Sequence, residues 1–196
     1  MCGRYYIDDD TAREIARLVR QIDDGLRNGL KGRDIHPTDQ APVLAGQGDE
    51  LKAEWQRWGL PGFDNKGVIF NARSETVLDK KMFREGVRSR RIVVPCSWFY
   101  EWNRNKEKIT FYREDSPVMF LAGFYNRFED GDRFVIITAG ADEFMKSTHD
   151  RMPLILERDE IEDWILDDGK TEKLLVQKPV RLGKRAEYEQ QILPFL

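Results

Sequence analysis

Between residues 67 and 138 the chain passes through six short apolar stretches, each closed off by polar or turn-forming residues. They cover 67–70, 91–95, 98–102, 109–113, 118–124 and 134–138. Runs of this length, rich in β-branched and aromatic residues, are strand-sized and too short for independent helices. Residues 5–7, 43–45, 53–58 and 154–156 read the same way, and a further strand is expected near Val180. One longer helical pattern competes. It opens on the capping box Thr11-Ala12-Arg13-Glu14 and continues through Ile15, Leu18, Val19, Ile22 and Leu26 to a stop near Gly29 or Gly32. Short helices are expected from Asp142 to Lys146, around 161–166 and around 171–176. The predicted class is α+β: mainly β, a barrel-like core of short strands with peripheral helices. No repeat, linker or low-complexity stretch divides the chain, which predicts a single domain over residues 2–196.

A chain of 196 residues can bury a sizeable core. No apolar run is long enough to span a bilayer, and Asp8, Asp9 and Asp10 make the start acidic, unlike a signal peptide. A cytoplasmic protein with no membrane partner is therefore expected. Cys2 and Cys96 stand alone, and with His36 and His149 they form no ligand spacing, so neither a disulfide framework nor a metal or other cofactor is expected. The net charge of −3 argues against indiscriminate nucleic-acid binding but leaves room for a local basic groove.

Chemistry gathers at a few points. A methionine before the small Cys2 is normally removed, which would leave a terminal 1,2-aminothiol: an amine and a thiol on one residue, each partly nucleophilic near neutrality. An aldehyde meeting it can form an imine, which the sulfur then closes to a five-membered thiazolidine. The strand at 67–70 runs into the polar cluster Asn71-Ala72-Arg73-Ser74-Glu75-Thr76. Glu101 sits among Trp98, Phe99, Tyr100 and Trp102, a costly place for a carboxylate without a partner or a task. His149, flanked by Asp150 and Arg151, lies in a turn before an apolar strand. The basic run from Lys80 to Arg91 reads as a solvated helix face or, less directly, as a phosphate track.

These motifs, in this order, resemble the SRAP (SOS-response-associated peptidase) family. The match is carried by Met1-Cys2-Gly3-Arg4, by Asn71 to Thr76, by Arg90-Arg91…Pro95…Phe99-Tyr100-Glu101-Trp102, and by His149-Asp150-Arg151-Met152-Pro153. Pro37 and Trp58-Gly59-Leu60 fit as well. The resemblance implies the SRAP fold, single-stranded DNA containing abasic sites as partner, a covalent thiazolidine at Cys2, and loss of Met1 by self-cleavage or an aminopeptidase. It also implies a monomer that joins the nucleoid during DNA damage. Among the catalytic residues so implied, Glu101 moves protons, His149 protonates the sugar ring oxygen, and Asn71 fixes geometry. Arg4, Arg73 and Arg151 would grip phosphates, Trp58 would stack on an exposed base, and Pro37 would splay the strand. The chain departs from the family in carrying Trp98 where a glycine is usual, Ala141 near where an asparagine is common, and His36 in place of a smaller polar residue. A non-covalent single-strand binding module and a thiol hydrolase acting on peptides or amides remain as alternatives.

Overall fold

The computed structural model describes residues 2–19, 32–62 and 66–186. Its strands are β1 (Tyr5–Ile7), β2 (Arg33–Ile35), β3 (Gln40–Gln47), β4 (Glu50–Trp58), β5 (Leu60–Pro61), β6 (Val68–Ile69), β7 (Asn71–Arg73) and β8 (Arg91–Cys96). They continue as β9 (Trp98–Trp102), β10 (Lys108–Tyr112), β11 (Met119–Phe128), β12 (Gly131–Gly140), β13 (Arg151–Pro153), β14 (Ile155–Leu156) and β15 (Gly183–Ala186). The helices described are α1 (Asp9–Leu18), α2 (Lys81–Ser89), α3 (Glu143–Lys146), α4 (Ile161–Leu166) and α5 (Thr171–Leu175).

Five strands close on themselves in the order β12-β4-β3-β8-β11 and back to β12, which leaves the ring no free edge. Two hairpins supply most of it: β3 with β4, turning at Gly48 (φ 61°), and β11 with β12. Parallel pairing of β12 with β4, at Arg133↔Arg57 and Phe134↔Trp58, completes the closure. Trp164 of α4 is fully buried, and its indole N–H donates to the Ile92 carbonyl at 2.9 Å, fastening the helix to β8. A second sheet runs β15-β10-β9-β1-β2, joined to the barrel by the single residue Ser97 between β8 and β9. The Ser97 hydroxyl lies 2.8 Å from that of Thr11, and its N–H donates to the Tyr6 carbonyl at 2.9 Å, which ties barrel, sheet and α1 together.

The mainly β, barrel-cored reading therefore holds. Two local expectations do not. The first helix starts three residues early: Asp8 is its cap, accepting from the Thr11 N–H at 2.9 Å, while Asp9 and Asp10 favour the positive helix start. Its predicted extension through Ile22 and Leu26 lies outside the described residues. The strand expected near Val180 forms at Gly183–Ala186 instead, pairing with β10. The basic run folds into α2 with Lys80, Lys81, Arg84 and Arg88 exposed, as the solvated-face reading expects, while several of its arginines also bond to the fold. Arg84 donates to the Leu78 and Asp79 carbonyls, Arg90 to the Tyr125 carbonyl and Asn126, and Arg91 is buried with bonds to the Val87, Ile165 and Asp168 oxygens.

Candidate functional site

The site forms where the second sheet meets the barrel. Pairing of β1 with β9 sets Tyr5 opposite Phe99, and the Tyr100 N–H donates to the Arg4 carbonyl at 3.0 Å. One more step in that antiparallel register brings the Cys2-Gly3 end of the chain alongside Glu101. On the barrel side, β7 pairs in parallel with β12, Asn71 against Ile136 and Arg73 against Thr138. Asn71 reaches across, its Nδ2 donating to the Cys2 carbonyl at 2.9 Å. Its Oδ1 is buried with no hydrogen-bond partner among the described residues, an acceptor waiting for a donor inside the site.

Cys2 is fully buried. Desolvation pushes its thiol pKa far above the ordinary range, and the nearby Glu101 charge raises it further. Glu101 is itself 3% exposed, and burial raises its carboxyl pKa, with His149 among the smaller influences that oppose the shift. These effects place Cys2, Glu101 and His149 in one electrostatic neighbourhood. His149 follows α3, whose start is capped by Asp142 accepting from the Met145 N–H at 2.8 Å. The His149 Nδ1 lies 3.0 Å from the Arg151 backbone N–H and 2.9 Å from the Asp150 carboxylate. A neutral ring that accepts from Arg151 there carries its proton on Nε2, whereas a protonated ring has an Nδ1 proton to donate to the Asp150 carboxylate within the same reach.

The flanking residues divide. Arg73 is exposed, and Pro37 is half-buried in the turn after β2. Arg4 bonds to Asp34 at 2.5 Å with its guanidinium 5.0 Å from the Tyr100 ring centre. Arg151 is held more tightly than an open phosphate grip would be. Its guanidinium takes both Glu75 oxygens, at 2.6 and 2.9 Å, and the Thr138 carbonyl at 2.6 Å, leaving the side chain 11% exposed. Trp58 corrects the sequence reading outright. It is 0% exposed, packed among Tyr5, Phe70 and Phe134, and offers no face to a base. Its N–H donates to the Phe70 carbonyl at 2.9 Å, so it fixes the backbone immediately before Asn71.

The model of the SOS response associated peptidase (SRAP) family matches residues 1–189. The chain belongs to the SRAP family. It is 32% identical over 184 residues to the abasic site processing protein YoaM of Bacillus subtilis, covering 84% of this chain and 79% of that protein. To the abasic site processing protein YedK of Escherichia coli it is 27% identical over 176 residues, with the same coverage. A crystal structure of a Bacteroides thetaiotaomicron protein superposes with a TM-score of 0.81 at 25% identity, covering 94% of this chain and 91% of the other.

In this SRAP chain the sequence reading passed over Glu75, Thr138 and Asp34, the partners that hold Arg151 and Arg4. Glu75 carried a faint signal, an acid two residues beyond Arg73 in the polar cluster. Thr138 and Asp34 carried none, because their partners are distant in sequence. Among the described residues no group of three or more His, Cys, Asp or Glu side chains could hold a metal, and no helix is long and apolar enough to cross a membrane.

Proposed function

We propose that this SRAP protein captures abasic sites in single-stranded DNA by forming a thiazolidine at Cys2 after Met1 is removed. The observation that carries the reading is the convergence of Cys2, Asn71, Glu101 and His149 from four separate segments. Relatives described as abasic site processing proteins support the choice of substrate.

The ring-opened abasic sugar presents an aldehyde. His149, protonated, delivers a proton to the sugar ring oxygen and favours that open form. The Cys2 amine attacks the aldehyde carbon, and Glu101 takes the proton it releases. Glu101 then returns a proton to the hydroxyl, which leaves as water to give the imine. A carboxyl whose pKa is raised by burial suits both steps. The Cys2 sulfur adds to the imine carbon while its proton passes to nitrogen, closing the ring with one water lost overall. Asn71 holds the Cys2 carbonyl so that amine and sulfur face the same carbon. Arg73, with Arg4, binds the flanking phosphates. Met1 leaves by self-cleavage or through an aminopeptidase.

A thiol hydrolase fits less well, since the relatives are described as abasic site processing proteins. The test is an oligonucleotide carrying one abasic site, incubated with wild type and with Cys2→Ser and resolved on a denaturing gel. Wild type should give a stable shifted band. Cys2→Ser keeps the amine but lacks sulfur, so its band should appear only when borohydride reduces the imine. A band of equal stability from both proteins would rule out the thiazolidine.

A further inference from the structure

The sheet β15-β10-β9-β1-β2 has a second face, turned away from Glu101, that the capture chemistry does not use. Strand alternation puts Trp98, Tyr100 and Trp102 of β9 on it, because Phe99 and Glu101 point inward. In register, Tyr6 of β1 lies opposite Trp98, and Trp98 lies opposite Tyr112 of β10. Three aromatic side chains thus stand in a row across three strands. The next position in the row is Gly183 of β15, where a Cβ would come within 2.8 Å of the Tyr112 ring. Tyr6 stacks on Trp98 with centroids 4.3 Å apart and planes 4° from parallel, and the Trp98 N–H donates to the Tyr100 hydroxyl at 2.7 Å.

A cross-strand aromatic row can be mere packing. Here it borders a cavity of about 270 Å³ whose lining includes Trp98, Tyr112, Arg185, the acidic Asp8 and Arg113, the last already paired with Asp115 and Glu157. Tyr6, Trp98 and Tyr112 all remain partly exposed, and Trp102 at the other end of β9 is 40% exposed. Between these ends lies Tyr100, itself buried at 7% exposure, with the Arg4 guanidinium 5.0 Å and the Lys108 ammonium 4.7 Å from its ring centre, so there the face offers cations rather than a ring. Arg4 is two residues from Cys2 in the chain, and its guanidinium over Tyr100 links the edge of this face to the segment that carries the capture site.

We propose that this outer face is a stacking track for the unpaired strand on one side of the abasic site, with a base seated between Trp98 and Tyr112 and its phosphate at Arg185. The proposal rests on the single-stranded DNA reading above. Aromatic faces interleaved with cations are the means by which proteins hold single strands without reading sequence. Trp102 to Trp98 spans ~13 Å of strand, about four bases at stacked spacing.

The test uses fluorescence anisotropy with unmodified single-stranded oligothymidylate, and with abasic oligonucleotides trimmed on either flank. Trp98→Ala and the exposed Arg185→Glu should each weaken binding of the unmodified strand by about tenfold, while Trp98→Phe stays close to wild type. Wild type should lose affinity when one flank, and not the other, is cut below about four nucleotides. Trp98→Ala should be indifferent to that cut. Wild-type affinity in both Trp98→Ala and Arg185→Glu, as would be found if this face docks a protein instead, overturns the proposal. So does equal sensitivity of wild type and Trp98→Ala to trimming. Because the unmodified strand cannot crosslink, wild-type affinity of both variants for it condemns the track alone. Absence of an abasic adduct with the effects intact condemns the Cys2 chemistry alone.

Discussion

At single residues, burial decides what each side chain can do. Glu101 keeps its proton to higher pH in the folded chain than in the unfolded one, because the sheet and barrel exclude water around it. Its contribution to stability is therefore complete below the ordinary carboxylate pKa and declines as pH rises through the raised value. Glu101→Gln has no charge to desolvate, so its melting temperature should gain on wild type more at about pH 8 than at about pH 4. A difference that stays constant with pH, measured by thermal melts across that range, would contradict the buried-acid account. Trp58 illustrates the opposite case. An aromatic beside a glycine at the end of a strand reads equally as a stacking face or as core, and only the neighbouring Tyr5, Phe70 and Phe134 decide. Trp58→Ala should cost roughly 3–5 kcal/mol in urea unfolding, as for other large core deletions, rather than act mainly on DNA affinity. Cys2, Glu101 and His149 could be proposed from the sequence because a cysteine after the first methionine, a carboxylate among aromatics and a histidine between charges each stand out locally. The engagement of Arg151 by Glu75 was not, since the two are 76 positions apart.

Among the elements, strands announced themselves, and of the expected helices only α1 starts elsewhere than read. The alternation of apolar residues from 98 to 138 survives almost intact as β9 to β12. The start of α1 was misplaced because Thr11 with Glu14 imitates a capping box, while Asp8 makes the cap and the Thr11 hydroxyl turns toward Ser97. The basic run before β8 is solvated along most of its length, as read, yet at its end the buried Arg91 donates to several carbonyls and to Asp168. Helix α3 was foreseen, cap included, and it aims the turn that carries His149. Asp142→Ala removes that cap and should cost about 1 kcal/mol of stability. It should also slow adduct formation at saturating DNA, while Asp142→Asn, another good cap, should restore both. Stopped-time gels with the two variants check this. Normal rates in Asp142→Ala would disconnect α3 from catalysis.

For the molecule as a whole, the barrel closes through contacts that no local pattern encodes. The parallel pairings of β12 with β4 and β7 join segments more than sixty residues apart, and β7 carries Asn71 to the carbonyl of Cys2 only because of them. A count of strands suggested a barrel; which strands meet was not readable. The net charge of −3 confines DNA attraction to local cations. Arg73→Ala should weaken binding across sequences alike and lower the slope of log affinity against log salt by about one contact. An unchanged slope in a salt titration would take Arg73 out of the interface. The account as a whole stands on whether Cys2 bonds to DNA. Intact-mass measurement of chain lacking Met1, incubated with an abasic oligonucleotide, puts that directly to the test. The predicted product weighs the sum of protein and oligonucleotide less one water, and cleavage maps the added mass to Cys2. Protein with a free Cys2 amine that gains no such mass would contradict the account.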